Sequence, residues 1–317
     1  MASILTLALN PTIDVASECD IVRPIHKIRT ANESYEPGGG GVNVARVIAE
    51  LGGDVELLSL AGGVTGALLD QLLGEIPIRR RMVPISGNTR ISLTVFERKT
   101  GNEFRFIPNG PKLSPAEVEA SLAAAREMSF DYLVASGSIP LGAPTDILAR
   151  FAEIAAKKQA RFVLDSSGAG LSVTLEKTPV YLVKPSLSEL ETLMGRRLDE
   201  DSAKEAAVDL IHRGRAEIVA VTMGAAGALL VTRDRVMRLW SPKVETRSAV
   251  GSGDSFVGAM TLMLSRGRPI DDACVFGIAA GAAAALTPVA KICARDDVYR
   301  LHDLILREQV PAAAAAA

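Results

Sequence analysis

Short apolar runs alternate with longer amphipathic stretches along most of the chain. Six of the runs are nearly all apolar and rich in β-branched residues, as expected for strands buried on both faces of a sheet. They cover 4–9, 55–60, 132–135, 162–164, 181–183 and 218–222. This alternation is typical of parallel β-α-β units. It predicts an α/β protein built on a central, mostly parallel sheet.

The stretches between these runs carry helix signals. Ser114 followed by Pro115 is a favourable helix start, and Gly52 with Gly53 is a favourable stop. Two alanine-rich segments near the C-terminal end are also expected to be helical. The predicted helices cover 42–51, 114–128, 143–158, 253–264 and 271–286.

Other segments alternate with a period of two and predict antiparallel hairpins with one solvated face. They pair 91–97 with 103–107, and 14–20 with 30–36. We expect these four strands to form a small second sheet, contributed by inserts, that acts as a lid. A further hairpin, 228–232 with 236–240, is predicted to extend the edge of the main sheet.

Composition excludes several classes of protein. The chain has 317 residues, of which 48% are hydrophobic and 23% charged, which is the balance of a soluble globular protein. A formal net charge of −2 provides no basic field for nucleic acid or anionic lipid, so we expect neither partner. The longest apolar stretch, 273–286, is too short to span a bilayer. The segment 311–317, one proline and six alanines, is predicted to be a disordered tail.

The three cysteines, Cys19, Cys274 and Cys293, form no C-x-x-C pair and no zinc pattern. We interpret them as reduced thiols of a cytoplasmic protein. No Gly-Lys dipeptide occurs, so a Walker A loop is absent, and no G-x-G-x-x-G follows a strand. Any nucleotide must be bound by another design.

Two glycine runs lead directly into predicted helices. The run 38–41 precedes Val42, and backbone N–H groups at a helix start can bind an oxyanion or a sugar hydroxyl. The second run, Gly251-Ser252-Gly253, is followed by Asp254. Asp254 is explained equally well as an acid that stabilises the helix dipole and as a general base for phosphoryl transfer to an alcohol.

Four motifs in order resemble the signatures of the ribokinase-like (PfkB) sugar kinases. They are GGGGVNVARVIAELGG at 38–53, VKPSLSEL at 183–190, TMGAAGAL at 222–229 and VGSGDSFVGAM at 250–260. The resemblance implies a ribokinase-like three-layer fold in one kinase domain over 1–310, with a small β-sheet lid formed by inserts near 13–36 and 88–108. It also implies an enzyme that binds ATP and Mg²⁺, and a homodimer that forms through the lid.

Within this family the pattern is most similar to the kinases that phosphorylate the 1-hydroxyl of fructose 6-phosphate to give fructose 1,6-bisphosphate. The glycine run lacks the lysine that interrupts it in kinases for tagatose 6-phosphate or fructose 1-phosphate. Both of these remain alternative substrates. A weakly catalytic protein that binds a sugar phosphate in the same pocket is the alternative from another class.

The resemblance implies roles residue by residue. Asp254 would take the proton of the sugar hydroxyl, while Gly251, Ser252 and Gly253 would stabilise the transferred phosphoryl group, and Glu189 would organise Mg²⁺ through water. The implied sugar-phosphate residues are Asp14, Gly38, Gly39, Asn43, Arg90, Ser138, Arg29 and Lys27. The implied nucleotide residues are Lys184, Ser186, Thr222, Gly224, Gly227 and Ser248.

Three of these assignments carry alternatives. Arg29 and Lys27 are explained equally well as surface charges. Ser186 stands where the family has asparagine. The serine side chain is shorter and has no amide group. Relatives can also bind a monovalent cation through a loop that here would involve Ser248, Val250 and Ala284, and activation by K⁺ is left open.

Overall fold

The computed structural model describes residues 2–288 and 290–309, which form thirteen strands and ten helices. The strands are β1 Ile4–Ala8, β2 Thr12–Cys19, β3 Ala31–Gly38, β4 Val55–Ala61, β5 Arg79–Pro84, β6 Arg90–Glu97, β7 Asn102–Phe106, β8 Tyr132–Ser136, β9 Arg161–Asp165, β10 Val180–Val183, β11 Ala216–Thr222, β12 Ala228–Thr232 and β13 Val236–Leu239. The helices are α1 Gly40–Glu50, α2 Gly63–Gly74, α3 Pro115–Glu127, α4 Ile147–Lys157, α5 Gly168–Lys177, α6 Leu187–Met194, α7 Glu200–His212, α8 Ser252–Ser265, α9 Ile270–Ala285 and α10 Arg295–Gln309. The tail predicted for 311–317 lies outside the described residues.

Nine strands form the main sheet in the order β13-β12-β11-β10-β9-β8-β1-β4-β5. The seven strands from β11 to β5 are parallel, and β12 and β13 are antiparallel additions at one edge. This confirms the six predicted core strands and the predicted edge hairpin. The apolar runs are continuous because helices cover both faces of the sheet.

Two hydrophobic cores lie on the two faces. One joins the sheet to α1, α2, α8, α9 and α10, with Phe256 and Phe276 fully packed inside it. The other joins the sheet to α3 through α7 around Phe151. The result is the predicted three-layer arrangement. Across residues 2–288 and 290–309, the chain has no helix whose length and apolar character would let it cross a membrane.

Four strands form a separate small sheet in the order β3-β2-β6-β7. The two predicted hairpins are antiparallel, and they join through the parallel pair β2 and β6. Register places Tyr35, Val15, Leu93 and Phe106 in one row across the four strands. Three of these apolar side chains, Tyr35, Leu93 and Phe106, are exposed. The predicted small sheet is confirmed, and one face of it carries an uncovered apolar row.

The boundaries differ from prediction in one helix. The segment 143–158 was expected to be helical throughout, yet α4 begins only at Ile147. Proline disfavours helical backbone in the residue before it, so Pro144 keeps Ala143 out of the helix. The Ile147 amide donates to the Pro144 carbonyl in a turn that leads into the first helical residues.

The edge strand β5 carries no apolar signal and is not predicted by the pattern. Its first three residues are arginines, and each one pairs with an acid from a neighbouring helix or loop. The pairs are Arg79 with Asp54, Arg80 with Asp70, and Arg81 with Glu127. Charge pairing of this kind suits an edge strand, where a long apolar strand would invite aggregation.

Strand order places the chemistry at one edge of the main sheet. From β1 the chain adds strands on one side through β4 and β5, and on the other side through β8 to β11. Ligands of open α/β sheets bind at the carboxyl ends of the strands, where the order reverses. Ser136 ends β8, Asp165 ends β9 and Thr222 ends β11, and Lys184 directly follows β10.

Candidate active site

A cavity of about 850 Å³ opens at this carboxyl edge, between the strand ends and the start of α8. Much of the predicted sugar, nucleotide and catalytic set lines it. The predicted residues in its wall are Ser138, Lys184, Ser186, Glu189, Thr222, Gly224, Gly227, Ser252, Gly253 and Asp254. Its size suits a nucleotide or a comparable ligand.

Asp254 lies in the first turn of α8, whose N-cap is Gly251 in the left-handed conformation (φ 77°). Its Oδ2 accepts a hydrogen bond from the Asn43 amide at 2.9 Å, and its Oδ1 accepts one from the Ser136 hydroxyl at 3.1 Å. Burial raises the pKa of Asp254 to about 7, and the charge of Asp165 acts in the same direction. The two hydrogen bonds and the charge of Lys184 oppose that rise. Asp254 is therefore a carboxylate that can exchange a proton near neutral pH.

Lys184 and Asp165 form a buried ion pair, with Nζ 3.0 Å from Oδ1. Burial by itself lowers the pKa of Lys184, but Asp165, Glu189 and Asp254 together raise it above the ordinary value. Lys184 therefore carries a fixed positive charge beside the cavity. The other Asp165 oxygen, Oδ2, accepts from the Ser136 hydroxyl at 3.0 Å.

The first glycine run passes too close to other backbone for side chains to fit. A Cβ at Gly41 would lie 2.1 Å from the Leu7 carbonyl oxygen, and a Cβ at Gly40 would lie 2.4 Å from the Ser136 hydroxyl. Gly39, the second residue of the run, has φ 95°. These positions bring the start of α1 against the ends of β1 and β8.

Arg46 organises the segment around this run. Its guanidinium pairs with Glu36 at 2.6 Å and donates to the Pro37 carbonyl at 2.8 Å. The same Nη1 lies 3.4 Å from the Asn43 amide oxygen, which leaves the amide nitrogen of Asn43 to face Asp254. Burial lowers the pKa of Arg46, while the charges of Glu36 and Asp14 oppose that change.

Asp14 comes from β2 of the small sheet and packs against Gly38, where a Cβ would overlap its carboxylate. Burial raises the pKa of Asp14, and the opposing influences come from Arg46, a hydrogen bond from Ser92, and Arg90. The structure thus brings the predicted residues Asp14, Gly38, Gly39 and Asn43 into one continuous group next to Asp254.

Arg90 lies at the start of β6. Its guanidinium donates to the Pro108 carbonyl at 3.0 Å and to the Asn10 carbonyl at 2.8 Å, and burial lowers its pKa. Its Nε is buried without a partner in the described part of the chain. Ser138 accepts a hydrogen bond from the Asn10 amide at 3.2 Å. Arg90 and Ser138 are therefore linked through Asn10.

Lys27 and Arg29 do not join this group. Both are exposed in the irregular segment between β2 and β3, and neither lines the cavity. The segment that holds them extends from the small sheet into solvent, and their role toward the sugar phosphate stays a prediction.

The predicted nucleotide residues surround the ends of β10 and β11. Ser186 and Glu189 cap α6 reciprocally: the Glu189 carboxylate accepts from the Ser186 amide at 2.8 Å, and the Ser186 hydroxyl accepts from the Glu189 amide at 3.3 Å. Gly224 and Gly227 both have positive φ, which shapes the turn after β11. Ser248 lies apart from the cavity wall, and its hydroxyl donates to Glu103 of the small sheet at 3.3 Å.

The sequence model of the pfkB family of carbohydrate kinases matches residues 7–297. The chain belongs to this family. The ATP-dependent 6-phosphofructokinase isozyme 2 of Mycobacterium tuberculosis is 43% identical over 304 residues, which are 95% of this chain and 89% of the relative. The predicted class, a kinase acting on a carbohydrate, is confirmed.

Solved structures agree with this assignment. The crystal structure of phosphofructokinase-2 from Escherichia coli in complex with potassium matches with a TM-score of 0.93 and 36% identity, over 97% of this chain and 100% of that chain. The same E. coli protein in complex with fructose-6-phosphate matches with a TM-score of 0.91 and the same identity and coverage. The predicted ribokinase-like fold class is confirmed.

Three residues that contact the predicted set in this pfkB-family kinase were given no role by sequence reasoning. Ser136 and Asp165 end core strands, and Arg46 lies nearly two turns into α1. A polar residue at the carboxyl end of a buried parallel strand is the signal that could have identified the first two. Arg46 offers no comparable signal, because it lies inside α1 and not at the end of a strand.

The kinase family implies Mg²⁺. Among the described residues, no group of three or more His, Cys, Asp or Glu side chains is arranged to hold a metal ion. The Glu189 carboxylate lines the cavity beside the positively charged Lys184. This arrangement fits an ion held mainly by nucleotide phosphate oxygens and water, which is how Mg²⁺ is usually bound in kinases.

Proposed function

We propose that the chain is an ATP-dependent 6-phosphofructokinase, which transfers a phosphoryl group from MgATP to the 1-hydroxyl of fructose 6-phosphate. The observation that carries this proposal is Asp254, a carboxylate with a pKa of about 7 at the start of α8 in the cavity wall. A general base is most effective when its pKa lies near the working pH.

In the proposed reaction, Asp254 takes the proton of the sugar hydroxyl as the oxygen attacks the terminal phosphorus. The backbone N–H groups of Gly251, Ser252 and Gly253 are not all used within α8, because the first turn of a helix leaves its amides without partners. They and the helix dipole stabilise the negative charge of the transferred group. Lys184 adds its positive charge beside these amides, since its Nζ lies 3.6 Å from where a Cβ on Gly253 would be. Bound Mg²⁺ would neutralise phosphate charge, with Glu189 orienting its water.

The sugar is proposed to bind where the small sheet meets the main sheet. Asp14, Asn43 and the amides of Gly38 and Gly39 offer acceptors and donors for hydroxyl groups. Arg90 offers a half-buried guanidinium whose Nε has no partner in residues 2–288 and 290–309. The charge of Asp14 offsets part of the cost of burying this cation, and a phosphate on the sugar would offset more of it.

The choice of fructose 6-phosphate draws on the relatives. The M. tuberculosis relative bears the name 6-phosphofructokinase, and the E. coli neighbour has been crystallised with fructose-6-phosphate. In this chain, a Cβ at Gly40 would lie 2.4 Å from the Ser136 hydroxyl and 2.7 Å from the Gly137 nitrogen. A lysine at position 40, like the one that interrupts the run in the alternative kinases, would require these atoms to shift. The alternatives with tagatose 6-phosphate or fructose 1-phosphate share the same chemistry, and the experiment below separates them.

The experiment is ADP release by the purified protein with fructose 6-phosphate, tagatose 6-phosphate, fructose 1-phosphate and free fructose. We expect the highest kcat/KM with fructose 6-phosphate. Replacing Arg90 by alanine should weaken the binding of fructose 6-phosphate by about 2 to 5 kcal/mol and raise its KM, while the KM for ATP changes little. Arg98→Ala is the matched control. Arg90 begins β6 and Arg98 directly follows it, but Arg98 pairs with Glu18 and Asp20 on the surface.

A higher kcat/KM for another sugar would reject the proposed substrate. Equal effects of Arg90→Ala on free and phosphorylated sugars would reject the proposed role of Arg90. Absence of ADP release with every sugar would favour the alternative of a weakly catalytic binding protein.

The small sheets are also the proposed surface through which two chains assemble. We propose a cytoplasmic homodimer joined through the small sheets, with the buried thiols of Cys19, Cys274 and Cys293 left reduced. Activation by K⁺ stays open. The Ala284 carbonyl, one of the predicted cation ligands, already accepts from the Thr287 hydroxyl at 2.8 Å. Rates measured in potassium and in sodium salts would decide it.

A further inference from the structure

Ser136 lies at the end of β8 with its hydroxyl between two carboxylates. Its Oγ is 3.1 Å from Oδ1 of Asp254 and 3.0 Å from Oδ2 of Asp165. The side chain is nearly enclosed, and Gly40 packs directly on the hydroxyl from the side of α1. Its position is therefore fixed by the backbone around it.

A serine hydroxyl has one hydrogen, so it donates to one of these carboxylates at a time. Asp254 receives a separate donor at Oδ2 from Asn43, at 2.9 Å. Asp165 is paired at Oδ1 with Lys184, at 3.0 Å. Each carboxylate thus has one permanent partner and shares the Ser136 hydrogen as its second.

The charged groups around this bridge are few. Asp165, Lys184 and Asp254 are in contact with it or one contact away, and Glu189 adds its charge at Lys184. Lys184 is paired with Oδ1 of Asp165, and Asp254 is the carboxylate of the bridge proposed to take the substrate proton. A change in the charge of Asp254 is the event that decides where the Ser136 hydrogen points.

We propose that Ser136 is a positioning residue whose hydroxyl hydrogen turns from Asp254 to Asp165 when Asp254 takes the substrate proton. This inference rests on the proposed function. While Asp254 is ionised, Ser136 donates to its Oδ1 and stabilises the anion. When the O–H bond of the sugar breaks and its proton passes to Asp254, the Ser136 O–H bond rotates without breaking. Ser136 then donates to Asp165, and its lone pair is free to accept from the new Asp254 O–H.

Removal of the hydroxyl has a defined consequence for Asp254. In Ser136→Ala, the ionised carboxylate loses one of its two donors, while the protonated form loses less. The pKa of Asp254 should therefore rise, by about one pH unit for the loss of one hydrogen bond to a charged group. The acidic limb of the kcat/KM profile should move to higher pH by the same amount.

The test follows Asp254 in two ways. The first is the kcat/KM profile for fructose 6-phosphate between pH 5 and 9. The second is ¹³C NMR titration of aspartate-labelled enzyme without substrate, in which the Asp254 signal is assigned by its loss in Asp254→Asn. Ser136→Thr keeps a hydroxyl, so its midpoints should lie close to those of the wild type. Ser166→Ala is the control, because Ser166 follows β9 directly but donates to the Gly137 carbonyl.

We expect both midpoints to rise by about one unit in Ser136→Ala and to stay in place in Ser166→Ala. Unchanged midpoints in Ser136→Ala, in an enzyme that phosphorylates fructose 6-phosphate, would overturn the role of Ser136. Equal shifts in Ser166→Ala would overturn it too, because they would indicate a general disturbance of the strand ends. A shifted NMR midpoint in a protein without kinase activity would support the bridge and reject the proposed function.

Discussion

Asn43 donates an amide hydrogen to Oδ2 of Asp254 across 2.9 Å, between residues 211 positions apart in the chain. The bond connects the first turns of α1 and α8, the two helices that follow the glycine runs. Arg46 holds the other end of the Asn43 amide through its oxygen, so the amide presents nitrogen to Asp254. Oδ2 of Asp254 is thus held by the start of α1, the segment proposed to bind the sugar. A shift of that segment on sugar binding would act directly on Asp254.

Asp254→Asn tests the general base. We expect kcat to fall by about 10² to 10⁴ while KM for either substrate stays within a few-fold, because the lost interaction belongs to proton transfer. The amide can retain both contacts, accepting from Asn43 through oxygen and meeting Ser136 through nitrogen, so the fold should persist. Initial rates with circular dichroism as the folding control would check this. Near-normal turnover in the folded variant would reject the assignment.

The same variant should be more stable than the wild type at alkaline pH. The pKa of Asp254 is about 7 in the fold against 3.8 when exposed, so between these values the folded state binds more protons than the unfolded state. Stability contributed by this group therefore falls as pH rises through that window, and the penalty is complete above pH 7. Asparagine removes the penalty. We expect a higher Tm for Asp254→Asn at pH 8, with the gain shrinking toward pH 4.

Asp146→Asn provides a control of opposite sign. Hydrogen bonding from Lys177 lowers the pKa of Asp146, and Arg150 adds to that effect. Its stabilising contribution is present above the unfolded pKa and is lost as pH falls, so Asp146→Asn should lower the Tm at pH 8. Calorimetry across pH 4 to 8 would measure both variants. A lower Tm for Asp254→Asn at pH 8 would contradict the raised pKa of Asp254.

Sequence pattern and structure agree where local signals decide the conformation. Continuous apolar runs marked the buried strands, and Ser114-Pro115 marked the start of α3, where Ser114 and Glu117 form a capping box. The edge strand β5 was hidden because its arginines are paired with acids that only tertiary contact supplies. In the site, the motifs marked Asp254 and Lys184. The Ser136 bridge depends on two strand ends and α8 meeting at one point, a relationship that neither local propensity nor spacing contains.

Glu189 and Ser186 can be separated by their roles in α6. Glu189→Gln retains an oxygen that can accept from the Ser186 amide, so the cap should survive while the charge near the proposed Mg²⁺ is lost. We expect the Mg²⁺ concentration for half-maximal activity to rise about tenfold or more. Ser186→Ala should do the reverse, with a loss of about 0.5–2 kcal/mol in unfolding free energy and little change in the Mg²⁺ requirement.

Magnesium titration of initial rates, together with urea unfolding of both variants, would measure the two effects. Equal increases in the Mg²⁺ requirement would show that Ser186 contributes to the metal site as much as Glu189 does. No increase in Glu189→Gln would remove Glu189 from the site.

The small sheet should form the dimer interface. Tyr35, Val15, Leu93 and Phe106 lie in one register row across its four strands, and Leu93 is 38% exposed. A contiguous apolar row of this kind is characteristic of a surface that another protein covers. Two small sheets packed on these rows would also bring the exposed segment holding Lys27 toward the neighbouring subunit. We therefore expect a dimer at micromolar concentration.

Leu93→Asp tests this interface, because a carboxylate in the middle of the row would have to be buried without a partner when two rows meet. Val236→Asp is the matched control: Val236 is 39% exposed and lies on β13, at the far edge of the main sheet. Sedimentation velocity should show monomers for Leu93→Asp and dimers for Val236→Asp. If Lys27 acts across the interface, the monomeric variant should also show a raised KM for fructose 6-phosphate. That KM should increase over wild type by a larger factor than the KM for ATP does. A wild-type monomer with full activity would remove the small sheet from both roles, and its exposed apolar row would then need another partner.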